Sequence, residues 1–146
     1  MENTMIVQKS IAFQASKAQV WDLLTNPALT QQYMFGCEVL SDWQVGSAVN
    51  WKGKNEAGED VVFVKGVVTE IVEGEKVTFT MLDPNVGIVD IPENYAKLTY
   101  WLETMAEGTT LHLTQDFTGT ENGQQRYEES LGGWDHVIGL MKKLVE

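Results

Sequence analysis

Between Met5 and Phe13 the apolar residues Met5, Val7, Ile11 and Phe13 alternate with Ile6, Gln8, Ser10 and Ala12, and Lys9 is the misfit in the apolar phase. A period of two marks a strand with one buried face. Ser16-Lys17-Ala18-Gln19 then has capping-box spacing, and Val20, Trp21, Leu23 and Leu24 follow at helical intervals. Asn26-Pro27 suits a new N-cap with proline at the first helical position, so this helix is short and a second runs from Pro27 to about Tyr33.

From Phe35 to Phe117 no helical period outlasts a turn, and the chain reads as strands over 36–41, 47–54, 60–72, 76–82, 95–105 and 109–118. Val45-Gly46, Asn55 to Gly58, Glu73-Gly74-Glu75, Asp83-Pro84-Asn85 and Ala106-Glu107-Gly108 separate them with turn chemistry. Short separators predict hairpins and an antiparallel meander.

A helix is predicted from a cap at Thr120 or Asn122 to the end of the chain. At roughly 100° per residue, Tyr127, Ser130, Leu131, Trp134, Val137, Ile138, Met141, Leu144 and Val145 share one face. Gly132, His136, Gly139 and Lys143 fall opposite, and Gly133 and Leu140 fall at the border. Gly133 is therefore expected to let the helix settle close to its neighbours beside Trp134, whereas Gly132 and Gly139 fill no gap in the core. The expected order is strand, two short helices, six strands and one long amphipathic helix that covers the sheet.

Composition narrows the functions. The 146 residues fit a single domain spanning 1–146, and 43 % apolar content with five Trp, five Phe and four Tyr supports a packed core. Ten basic against twenty-one acidic residues give a net charge of −11, which opposes binding to nucleic acid or anionic membrane. No apolar run approaches a bilayer span, and no basic stretch followed by an apolar core opens the chain. With Cys37 as the only cysteine, a cytoplasmic location is expected.

Several segments carry a family resemblance: A-S-K-A-Q-V-W-D-L-L-T-N-P (15–27), the V-G ending at Gly46, G-V-V-T-E-I-V-E-G-E-K-V-T-F (66–79), E-G-T-T-L-H-L (107–113) and Gly133-Trp134. In this order they resemble the START-like (SRPBCC) superfamily and, within it, the family named after the activator of heat-shock-protein-ninety ATPase. The resemblance implies an α+β helix-grip (START/Bet v-like) fold. In that fold a curved seven-stranded antiparallel sheet grips a long C-terminal helix, two short helices follow the first strand, and a cavity lies between sheet and helix. Relatives bind apolar or amphipathic small molecules there, and some catalyse cyclisations or hydrolyses. Trp21 matches the family's tryptophan on the first helix, where it packs the short helices against the sheet.

The residues themselves offer little recognisable catalytic chemistry. Cys37, His112 and His136 have no metal-ligand spacing, so no metal or other cofactor is expected. Both histidines are read as outward-facing, which leaves neither Cys37 nor any serine with an evident base. Glu70, Glu73 and Asp116 are read as solvated, with no acid–base role. Gln115 is in phase with Leu111, Leu113 and Phe117, Tyr100 with Leu98 and Leu102, and Trp51 with Val49. Together with Trp134 and Met141 they are the candidates to line an apolar cavity with few polar contacts; the alternative is that all five fill a packed core. Trp43 and Trp101 alternate against their apolar neighbours, and their exposure points to a protein interface such as a homodimer.

Three functions compete. The leading one is a domain that binds an apolar or amphipathic small molecule. The second is a chaperone-partner module; the eukaryotic activator carries a further N-terminal domain, whereas this chain opens on the first START-like strand, which speaks against ATPase activation. The third is a cyclase or hydrolase that uses the same cavity.

Overall fold

A computed structural model describes residues 5–145. The elements are β1 (Ile6–Phe13), α1 (Lys17–Thr25), α2 (Pro27–Tyr33), β2 (Glu38–Ser41), β3 (Ala48–Lys54), β4 (Asp60–Val72) and β5 (Lys76–Met81). A 3-10 turn (Pro92–Asn94), β6 (Ala96–Met105), β7 (Gly108–Asp116) and α3 (Gly123–Val145) complete them. Glu146, the predicted end of the last helix, lies outside the described residues. No helix among those residues is long and apolar enough to cross a membrane.

The strands form one antiparallel sheet in the order β1-β7-β6-β5-β4-β3-β2, so the meander from β2 to β7 is closed by pairing the first strand with the last. Register puts Val7 opposite Gln115, Ile11 opposite Leu111, Leu113 opposite Tyr100 and Leu98 opposite Phe79. These side chains share the inner face because alternate residues of a strand point the same way. Lys9 belongs to that face too. Its ammonium reaches Asp135 on α3 at 2.9 Å, so the misfit of the first strand is an ion pair that ties β1 to the helix above it.

The capping box at α1 forms as its spacing requires: Gln19 N–H donates to Ser16 Oγ and Ser16 N–H donates to Gln19 Oε1. Asn26 then caps α2 by accepting from Ala28 N–H, with Pro27 at the first helical position. Three local expectations change. The second strand starts at Glu38 and not Gly36, because Phe35 and Gly36 take positive φ of 51° and 81° and turn the chain. Thr120 does not cap α3 through its hydroxyl, which donates back to Phe117 O; Asn122, at φ 55°, offers its backbone carbonyl to Arg126 N–H. Asp83-Pro84-Asn85 does not close a tight hairpin.

That third change builds a separate layer. Between Leu82 and Tyr95 the chain makes an excursion over the outer face of the sheet. It is pinned where Asn85 Nδ2 donates to Val62 O (3.0 Å), where Asp90 pairs with Lys65, and where buried Asn94 donates to Val89 O and accepts from Glu121 N–H. Beneath it the β4–β5 ladder is interrupted. Val67 N–H is taken by the Thr80 hydroxyl (3.0 Å), and a Cβ at Gly66 would stand 1.6 Å from Thr80 O. Only glycine permits that approach.

By contrast, a Cβ at Gly139 would meet no heavy atom within 4 Å, and the position is exposed. Gly139→Ala is expected to stabilise the fold by about 1 kcal/mol, a rise of roughly 2–4 °C in Tm. Gly66→Ala is expected to lower Tm by more than that. Thermal melts of both variants check the placement of helix and sheet, and equal shifts would contradict it.

Candidate functional site

The inner face of the sheet meets α3 at Trp134. Its indole Nε1 donates to Gln115 Oε1 at 2.8 Å, and its ring stands edge-on to Tyr100 with centroids 6.2 Å apart. Phe79 lies 6.2 Å beyond Tyr100, and Trp51 lies 6.4 Å from Phe79, so a row of rings crosses the sheet under the helix. Beside Trp134 opens a cleft of about 260 Å³, lined by Met34, Phe35, Met81, Gln115 and Val137, with Glu129, Ser130 and Gly133 along its helical side.

Each wall has a local cause. Thr30 ties the end of α2 to β2 by accepting from Val39 N–H, which brings Met34 and Phe35 to the mouth. The left-handed turn at Phe35 throws its ring outward, 69 % exposed, to stack on His136 at 5.7 Å. The floor is less fully bonded. Gln115 Oε1 serves Trp134, but the nearest acceptor for Gln115 Nε2 is the Met81 thioether at 3.5 Å, a weak one. Behind the floor, Trp51 Nε1 and Tyr100 OH are buried and have no hydrogen-bond partner. Burial holds the Tyr100 phenol well above its ordinary range, so it stays a neutral hydroxyl. Tyr33, raised by burial and then by Tyr100, differs in that its hydroxyl donates to Leu23 O at 2.7 Å.

Of the five residues expected around a cavity, Gln115 and Trp134 line this cleft. Tyr100 packs against Trp134 from within the core, Trp51 lies two rings away, and Met141 is fully buried. Met34, Phe35, Met81 and Val137 were not among the candidates. No periodicity marks Met34 and Phe35, because a turn and not a strand or helix face aims them. Gly133 corrects another expectation: a Cβ there meets nothing within 4 Å, so the residue borders the open cleft and does not bring backbones together.

Outside the cleft, one expectation about bases is overturned. Ser10 faces His112 in the β1–β7 register, with Oγ 2.8 Å from Nδ1, and Glu103 Oε1 lies 3.0 Å from Nε2. A serine therefore does have an oriented histidine beside it, because three adjacent strands align these positions on the outer face. Trp101 stacks on the same imidazole at 5.2 Å, and none of these four residues lines the cleft beside Trp134. The arrangement serves as a cross-strand polar ladder. Trp101 and Trp43 are both half-buried, Trp43 edge-on to Phe79 at 6.2 Å. Trp21 packs against the core, as its position on α1 leads one to expect. Burial pushes the Cys37 thiol up, which keeps it from the reactive thiolate form. Among the described residues no three His, Cys, Asp or Glu side chains converge as a metal site.

Residues 14–146 match the family described as Activator of Hsp90 ATPase homolog 1-like protein. Among solved structures, the chain resembles ChR145 from Cytophaga hutchinsonii at 32 % identity, covering 99 % of this chain and 95 % of that one with a TM-score of 0.76. CV1439 from Chromobacterium violaceum is 22 % identical over 97 % and 96 % of the two chains, with a TM-score of 0.74. DynU16, a protein of the dynemicin biosynthetic locus, is 17 % identical; the match covers 94 % of this chain and 46 % of that one, with a TM-score of 0.71. A search of curated proteins gave no match.

The unpartnered groups generate a stability prediction. Tyr100→Phe removes a buried hydroxyl that has no partner and is expected to stabilise the protein by about 1 kcal/mol. Gln115→Leu leaves Trp134 Nε1 unsatisfied and is expected to cost about 1–3 kcal/mol, part of which Trp134→Phe restores in the double variant. Urea unfolding of the set provides the measurement; a strongly destabilising Tyr100→Phe would show that the hydroxyl has a partner.

Proposed function

We propose, from the premise that the chain belongs to the family of Activator of Hsp90 ATPase homolog 1-like proteins, that it binds a small, mainly apolar molecule in the cleft beside Trp134. The family is one of ligand-binding and cyclase-like proteins of the START-like type. The observation that carries the reading is the floor of the cleft. There the Gln115 amide is fixed by Trp134 and keeps N–H capacity with only a thioether near it, between apolar walls. A buried donor in apolar surroundings favours a ligand that brings an acceptor oxygen.

Charge sets a further limit. Glu129 stands at the rim, and the chain carries −11 overall, so an anion would be repelled where a neutral molecule is not. The volume, about 260 Å³, is just below the usual span of ligand pockets and restricts the site to a small ligand. The flexible Met34 and Met81 thioethers adapt to an aromatic outline and make favourable contacts with ring edges.

The test uses N-phenyl-1-naphthylamine, an uncharged apolar fluorophore, together with native mass spectrometry of the freshly purified chain for molecules that co-purify. Gly133→Leu places a side chain into the open cleft and is expected to weaken binding of the fluorophore at least tenfold. Gly132→Leu, on the exposed side of the helix, is expected to leave it unchanged. Equal affinity in both variants would place the molecule elsewhere.

A further inference from the structure

The outer face of the sheet carries a second concavity, larger than the one beside Trp134. About 460 Å³ lies between β3–β4–β5 and the excursion that runs from Leu82 to Tyr95. Its floor is Ala48, Gly66 and Val67, its far wall is Pro92 and the Tyr95 ring, and its polar end holds Asn50, Lys65 and Asp90.

Three observations indicate that this space is built and not a gap left by a loose loop. First, the roof is anchored at Asn85, Asp90 and Asn94, the last of which joins it to the segment leading into α3. Second, the roof's own apolar side chains do not fill the space: Val86, Val89 and Ile91 are 58 %, 57 % and 41 % exposed. A segment that merely covered the sheet would bury them against it. Third, the interrupted ladder at Gly66 and Val67 lies at the floor, and Val67 remains 43 % exposed there.

The polar end specifies what could bind. Lys65 is paired with Asp90, and Tyr95 OH donates to the other Asp90 oxygen at 2.6 Å, so the charges are matched within the site. The hydrogen bond from Lys65 holds the Asp90 carboxyl below its usual range, with that from Tyr95 second, which keeps the pair ionised at neutral pH. A charged ligand would enter without a counter-charge and would have to break this pair. The Asn50 amide has no hydrogen-bond partner among the described residues, and it can both donate and accept.

We propose that this outer cleft is a second small-molecule site, for an uncharged amphipathic molecule of one or two fused rings bearing a single hydroxyl, carbonyl or amide. The ring system lies between Val67, Pro92 and the Tyr95 ring, and the polar group pairs with Asn50. The site is independent of the one beside Trp134, since the sheet separates them.

The test is a two-dimensional amide NMR titration of the whole chain with 2-naphthol, and with 2-naphthoate as a charged molecule of similar shape. Saturable shifts are expected at Ala48, Val67, Tyr95 and the Asn50 side-chain amide, with 2-naphthoate at least tenfold weaker. Ala48→Phe and Val67→Lys, both at exposed positions, are expected to weaken 2-naphthol at least tenfold, whereas Gly133→Leu leaves these shifts unchanged. Asn50→Leu is expected to abolish the preference for 2-naphthol over 2-methylnaphthalene. The proposal is overturned if the shifts are confined to Trp134 and Gln115, if none saturates at millimolar probe, or if both anion and neutral bind alike. It is equally overturned if signals of Val67, Val89 and Ile91 move on dilution alone, which would mean that a second copy of the chain covers this face.

Discussion

Seven strands present one broad apolar face, and a single long helix with two short ones has to keep it from water. Under the helix, Trp51, Phe79, Tyr100 and Trp134 form a continuous row, so the inner face is closed by large rings tilted and edge-on to one another. Aromatic residues suit this duty because each buries a large area with few rotatable bonds. They also bring polar atoms with them. Trp134 finds Gln115, while Trp51 and Tyr100 find nothing, and the cleft opens where the row meets the side of α3. The underused donors thus arrive with the rings that close the inner face.

The outer face answers a different demand. A sheet this large cannot leave its second face to chance, and two devices occupy it. At the β1–β7–β6 end, Ser10, His112, Glu103 and Trp101 form a polar and stacked ladder that keeps the face solvated. At the β3–β4–β5 end the chain doubles back and roofs the sheet, held by the matched charges of Lys65 and Asp90 and by Asn94. The interrupted ladder at Gly66 lies under that roof. Bulged or broken pairing commonly re-aims side chains next to binding sites.

Much of the fold was legible because it rests on local rules. The capping box at Ser16, the Asn26-Pro27 junction and the bounds of the fourth strand follow from residues within a few positions of one another. The phases of α3 were legible for the same reason: Trp134, Val137 and Met141 are buried, and Gly132, His136 and Gly139 are exposed. The site was legible only in part. Gln115 and Trp134 stood out through periodicity, yet that they would bond to each other, and not to a ligand or water, depends on a separation of 19 residues closed by the packing of α3 on β7. Met34 and Phe35 carried no signal, since a left-handed turn aims them. The Ser10–His112 contact spans 102 residues and exists because the first strand pairs with the last.

By itself, then, the sequence determined the elements, their order and the face each one buries, since helical and strand periods and caps are short-range physics. It also determined the acidic surface and its consequence for anionic partners. Only the tertiary structure decided where the inner cleft opens, which donors remain unpaired, that Gly133 borders open space, and that the excursion before β6 roofs a second cleft. Each of these depends on how surfaces from distant segments meet in three dimensions, and no period along the chain encodes the space left between them.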